Sequence, residues 1–193
     1  MMRRPLLCLL LPLALAGCAS APPATTLLAL PSLSAPTTST TAPATPLWAV
    51  RRVKIPEYLQ ATQVRYRDTD STLAEWPQAR WAERLEIGLS RHLLQSLQAQ
   101  LGTGAVCESV CSTSADGGEL VVDYLSLDYR PATGMLQAQV SWRLIPAAAG
   151  KAPRSGQLQL SEAVNPASAA GQAAAMGRLN AALAQQLAAL MRF

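Results

Sequence analysis

Histidine is almost missing from this 193-residue chain: His92 is the only one, so any site that needs two imidazoles is excluded. Aromatic residues make up 5% of the sequence, and the single Phe is the last residue, Phe193. Charged residues make up 15%, sixteen basic against twelve acidic, for a formal +4. Arg3 and Arg4 supply two of those positive charges; without them the balance is fourteen against twelve. That is too little, and too dispersed, to neutralise a nucleic acid backbone, so no nucleic acid partner is expected. No apolar run approaches the roughly 20 residues of a spanning helix. A phosphate-cradling glycine loop, a nucleophile elbow and a paired-histidine metal motif are all absent, and the acids are scattered. The inventory argues against an enzyme and against a metal or other cofactor.

What is present begins at the N-terminus. Arg3 and Arg4 precede a short apolar run from Leu6 to Ala16, interrupted by Pro12. This has the form of an export signal rather than a permanent anchor. The run ends in Leu15-Ala16-Gly17-Cys18, which resembles the lipobox of bacterial lipoproteins. The resemblance implies cleavage after residue 17, acylation (palmitate-type chains) of Cys18, and stable anchoring by several chains where one would hold only marginally. Cys8 falls in the removed segment. Ala19 and Ser20 follow Cys18 where lipoproteins kept at the inner membrane tend to carry Asp. The expected location is therefore the periplasmic face of the outer membrane.

Residues 19 to 46 contain 24 Ala, Pro, Ser or Thr among 28 positions, six of them proline, and no charge. Such a segment favours extended polyproline-like chain, reaching roughly 80 to 90 Å at about 3.1 Å per residue. It reads as a tether (18–46 with the lipidated Cys18) or as a leader without a length requirement. A third reading has Leu27 to Leu30 docking as an edge strand.

The domain expected over 47–193 opens with β-prone Val50, Val53 and Ile55, stopped by Pro56. Short strands are predicted over 63–68 and 71–75 around the turn chemistry of Asp68-Thr69-Asp70. Trp76-Pro77 is expected to break the chain before a helix. Trp81, Leu85, Leu89, Leu93, Leu97 and Leu101 recur every four residues, which predicts an amphipathic helix ending at Gly102. Leu120 to Arg130, Met135 to Ile145 and Gln157 to Ser161 read as three antiparallel strands, the second alternating Leu136, Ala138, Val140, Trp142, Leu144 against Gln137, Gln139, Ser141, Arg143. Asn165-Pro166 then reads as the cap and first position of a second amphipathic helix carrying Met176, Leu179, Leu183, Leu187 and Leu190. The fold class is α+β: strands, helix, three strands, helix, with two amphipathic helices packed on one face of an antiparallel sheet.

His92 is expected as a partly exposed packing residue, and Glu83, Glu86, Arg84 and Arg80 as a solvated ion-pair face. Cys107 and Cys111, exported to an oxidising compartment, favour a local disulfide over free thiols or intermolecular pairing. The five-residue span requires the segment to curl. The last helix carries only Arg178 and Arg192 as charges after Ala163. Either it packs against something, such as a neighbouring copy in a homo-oligomer, or its composition is biased.

With these elements placed, residues 48 to 101 resemble the PqiC-type lipoproteins, the auxiliary outer-membrane components of ABC-type and MCE-type lipid transport systems. The resemblance rests on Pro56-Glu57-Tyr58-Leu59, on Gln63-Val64-Arg65-Tyr66-Arg67, on Leu73 to Glu75, and on Arg80-Trp81-Ala82-Glu83-Arg84-Leu85. Ala138 to Leu144, including Trp142, and the alanine-rich last helix extend it. Gln60-Ala61 replaces a common Asp-Arg, and Arg84 a common proline. The resemblance implies a non-enzymatic role in inter-membrane lipid transport and envelope integrity, with an MCE-domain tunnel protein and an inner-membrane permease as partners. It makes Pro56, Tyr58, Leu59, Arg80, Trp81, Glu83, Leu85 and Trp142 scaffold residues. A structural or assembly lipoprotein of the outer membrane without lipid cargo is the competing function. The polar row Gln137, Gln139, Ser141 and Arg143 argues against a deep acyl-chain cavity on the sheet face opposite the helices.

Overall fold

The computed structural model describes residues 24–33, 48–108 and 117–192. Its class is α+β, as the hydrophobic periods require, but the strands divide into two sheets. The larger sheet contains β2 (Trp48–Val50), β5 (Val106–Glu108), β6 (Gly118–Arg130), β7 (Met135–Pro146) and β8 (Arg154–Ala163), in the order β5-β2-β6-β7-β8. β6, β7 and β8 form the predicted antiparallel meander, with Val122 opposite Trp142 and Val140 opposite Leu158. At the other edge β2 runs parallel to both β5 and β6. The chain continues alongside β6 beyond β2: the Arg51 amide donates to Leu120 and the Lys54 amide to Val122.

The smaller sheet is β1 (Thr26–Leu28), β4 (Leu73–Trp81) and β3 (Gln63–Arg67), in the order β1-β4-β3. β1 lies within the segment read as a tether, so docking of the leucine cluster is the arrangement the structure adopts: Leu27 pairs with Arg80 and Leu28 with Trp81, in parallel. Residues 19–23 and 34–46 of the tether fall outside the described residues, as do the export signal and Cys18.

Helix α1 (Leu85–Leu101) and helix α2 (Ala169–Met191) pack together over the inner face of the larger sheet. The leucine row of α1 is buried from Leu85 to Leu97, and α2 buries Met176, Leu179, Leu183 and Leu187. These residues, the inward side chains of β6 and β7, and Val64, Ala79 and Trp81 of the smaller sheet form one apolar cluster.

Three boundaries differ from the sequence reading. Trp81 belongs to β4 and not to the helix: its amide donates to the Thr62 carbonyl at 2.7 Å, and Arg84 takes the extended conformation that starts α1. Trp76-Pro77 does not end the strand. Gln63 faces Arg80 and Arg65 faces Glu75, so β4 spends five residue steps where β3 spends two. The surplus forms a bulge that holds Pro77, which cannot donate to a ladder, and Gln78, whose φ is 56°. Finally, α2 is capped by Ser168, whose hydroxyl accepts the Gly171 amide, three residues beyond the expected Asn165-Pro166 cap.

The scarcity of charge on α2 has an intramolecular cause. The helix is covered by α1, β7, β8 and the N-terminal segment, and most of its residues are buried. That burial replaces a neighbouring copy as the explanation of its composition.

Candidate functional site

Three of the scaffold residues singled out by resemblance, Pro56, Tyr58 and Leu59, gather where the smaller sheet meets the end of β6. Pro56 opens a single 3-10 turn, Glu57–Leu59, in which Leu59 is buried and its amide returns to the Pro56 carbonyl. The turn presents Tyr58, whose hydroxyl donates to Asp128 Oδ1 at 3.0 Å. Arg67 reaches the other oxygen of that carboxylate at 3.0 Å, and its guanidinium lies 5.5 Å from the centre of the Tyr58 ring. Arg65 donates to the Tyr58 carbonyl and pairs with Glu75. Burial, and then the adjacent Asp128 carboxylate, push the Tyr58 hydroxyl above its ordinary pKa, so it remains a neutral donor. Both Arg67 and Asp128 are largely covered, so the pair is tighter than an exposed one and clamps the two sheets together.

Beside this clamp lies an aromatic cluster. Trp76 stacks on Tyr129 with centroids 6.1 Å apart, and Tyr66 meets Trp76 at 5.0 Å. The bulge in β4 aims the Trp76 indole at α2, where its Nε1 donates to Gln172 Oε1 at 2.7 Å. Gln172 is fully buried, and its amide donates in turn to the Arg65 carbonyl at 2.8 Å.

Arg80 and Trp81 diverge: Trp81 is buried under β1, whereas Arg80 is exposed on the outer face. Glu83 forms a two-pronged pair with Arg91, at 2.9 and 2.7 Å. Leu85 begins α1 in the core. Glu86 corrects the expectation of a wholly solvated ion-pair face: it is buried, paired with Arg84. Trp142 is remote from the clamp. It faces the helices from the middle of β7, and Gly156 on β8 leaves room for its ring; a methyl added there would sit 2.8 Å from the indole.

His92 is buried, at 3% exposure, rather than partly exposed. It belongs to a polar network between the helices and β6. The Tyr124 hydroxyl donates to Asn180 Oδ1 at 2.8 Å, and Asn180 Nδ2 donates to the Leu89 carbonyl at 2.9 Å. Asn180 Nδ2 and Ser96 Oγ each lie 3.4 Å from His92 Nδ1. Burial alone lowers the His92 pKa, so the ring is held neutral. Sequence reasoning missed this network and Gln172. The available signal was an Asn and a Gln on the apolar side of a helix.

Cys107 sits in β5, its Sγ 3.6 Å from the Trp48 carbonyl, and is disulfide-bonded. Cys111 and the predicted curl after Glu108 lie outside the described residues. No group of three or more metal-ligating side chains occurs among the described residues.

The outer face of the larger sheet bears the predicted polar row, and the hollow there is lined by Ser126, Gln137, Gln139 and Gln159. A smaller cleft of about 310 Å³ opens at the opposite end from the clamp, between Trp48, Leu144, Pro146 and Leu190, with Lys151 and Arg154 at its lip. None of the described helices is long and apolar enough to cross a membrane.

Comparison with known proteins gives this scaffold a family. No curated protein sequence matches the chain. An uncharacterized protein of known crystal structure shares the fold with a TM-score of 0.71 at 18% identity, over 87% of this chain and 99% of that one. A protein from Xanthomonas campestris does so with a TM-score of 0.59 at 14% identity, over 86% of this chain and 91% of that one. The model of the ABC-type transport auxiliary lipoprotein component family matches residues 28–188, from β1 to the last turns of α2. With β2 to β8, α1 and most of α2 inside that match, the chain belongs to the ABC-type transport auxiliary lipoprotein family.

Proposed function

We propose that this chain is the non-enzymatic, lipid-anchored component of an MCE/ABC-type lipid transport system. On this reading it docks the transport tunnel at the outer membrane and supports lipid trafficking between the membranes and envelope integrity. The observation that carries the proposal is the family match across residues 28–188. The physical character of the molecule supports it. Its polar side chains are spent on joining the two sheets through Asp128 and Gln172, and on a neutral network around Asn180. Such a body suits docking better than turnover. Anchoring is assigned to acylated Cys18, and the partners are an MCE-domain protein and an inner-membrane permease. Self-association belongs to the same reading, and the strand it would use is β8, an edge of the larger sheet among the described residues.

Affinity purification of the full chain from its native envelope should recover an MCE-domain protein, and genes beside its own should encode one or a permease. Envelope defects on deletion with no MCE partner recovered would favour the purely structural role instead. Sedimentation of the lipid-free chain reads self-association directly, and a monomer at high concentration removes it.

A further inference from the structure

The docking of β1 changes how the chain meets its membrane. Counted to the start of the domain at residue 47, the segment after Cys18 would let the domain stand far from the lipid. Thr26 is instead fixed in β1 against Ala79, and the Ala82 amide closes the pairing by donating to the Leu28 carbonyl at 2.8 Å. Leu28 and Leu30 pack against the core. Pro31 lies over Gly177 of α2, its Cδ 2.9 Å from where a methyl would stand. Only eight residue steps then separate Cys18 from Thr26, which span at most about 28 Å at full extension.

We infer, resting on the lipoprotein reading of Cys18, that the outer face of the smaller sheet lies against the bilayer that holds the lipid. The face has the chemistry for it. Leu27 is 66% exposed, more than any other large apolar residue among those described. It sits in register with Arg80, and directly paired residues project on the same side of a sheet. A leucine that enters the headgroup boundary next to an arginine that meets lipid phosphate is the pairing found at interfacial contacts. Gln63 is the register partner of Arg80 on the other side. The turn carrying Ala149 follows Pro146, which pairs with Gly118 at the end of β6 opposite Asp128 and the clamp that joins the smaller sheet. β6 alone, 13 residues from Gly118 to Arg130, extends for roughly 43 Å at about 3.3 Å per residue.

The test uses the full chain, expressed with its signal and reconstituted into phosphatidylethanolamine–phosphatidylglycerol vesicles containing a nitroxide-headgroup lipid. A fluorophore is attached through a bioorthogonal residue at position 63 in one preparation and at 149 in another, leaving the cysteines untouched. Flotation with the vesicles, lost in Cys18→Ala, establishes the anchor first. Quenching at position 63 should exceed that at 149 by about threefold or more, and a Gly/Ser insertion of about fourteen residues between Ala21 and Pro22 should reduce it by about half. A chain that floats but is quenched equally at both positions, or is indifferent to the insertion, overturns this inference alone. A wild-type chain that does not float removes the lipoprotein reading and this inference with it.

Discussion

Asn180 holds together groups from three elements with one side chain. It accepts from Tyr124 on β6 and donates to the Leu89 carbonyl of α1, while being fully buried itself on α2. Removing it strands the Tyr124 hydroxyl, whose pKa burial already drives up. Asn180→Ala should therefore cost about 2–3 kcal/mol, the usual penalty for an unpaired buried polar group with a small cavity added, measured by urea unfolding. His92 next to it predicts a pH effect. Its neighbours Ser96, Asn180, Pro31 and Gly177 carry no charge that could hold an imidazolium. Burial depresses the folded pKa below the ordinary value of 6.5, so the unfolded chain binds the proton first as pH falls. Stability is full above 6.5 and declines below it; the slope between pH 6.5 and 5, before the carboxylates titrate, should flatten in His92→Asn. An equal slope in the variant would assign the loss elsewhere. Neither residue declares this role in the sequence. Both are polar and uncharged, or nearly so, and read equally well as surface, because only the third dimension sets Tyr124 against Asn180.

At the scale of elements, the periodic ones were readable and the coupled ones were not. β6, β7, β8 and both helices follow from alternation and from the leucine spacing, because their burial is a regular function of position. Trp81 extended the leucine row by chance of spacing, but pairing with Leu28 and Thr62 holds it in a strand. The β4 bulge depends on contacts remote in sequence, which no local window contains, and the docking of β1 was legible only as one of three readings of the leucine cluster. β1 also gives a prediction whose sign depends on its presence. Gly177→Ala should favour α2 by about 1 kcal/mol on helix propensity alone, yet its methyl would meet Pro31 Cδ at 2.9 Å. The substitution should be destabilising in the intact chain, and neutral or stabilising in the Pro31→Ala background, where those ring atoms are gone. The interaction term of a thermal-denaturation double-mutant cycle reads this directly. Additive effects would mean that the N-terminal segment does not press on the helix.

For the whole molecule, the question is whether two sheets make one folding unit. The smaller sheet has three strands, one of them only three residues long, and its buried side chains Val64, Ala79 and Trp81 belong to the core it shares with the larger sheet. Its hold on the larger one runs through three groups of contacts: the Tyr58–Asp128–Arg67 clamp, the Tyr66–Trp76–Tyr129 stack, and Gln172. Gln172 is the most demanding, since it joins Trp76 on β4 and the Arg65 carbonyl on β3 to α2, and thereby ties both strands to the helix that covers the larger sheet. Truncation leaves two buried groups unpaired at once. Gln172→Ala should cost about 2–4 kcal/mol, at one to two kcal/mol for each stranded donor or acceptor. Because the shared core runs through both sheets, the loss should move the whole transition rather than split it. Tryptophan fluorescence and far-ultraviolet circular dichroism should shift together along the urea axis, in the variant as in the wild type. If fluorescence falls at lower urea while the ellipticity of the helices persists, the smaller sheet is an independent unit hinged on Gln172. A membrane contact through Leu27 and Arg80 would then orient that sheet only, and leave the larger body free.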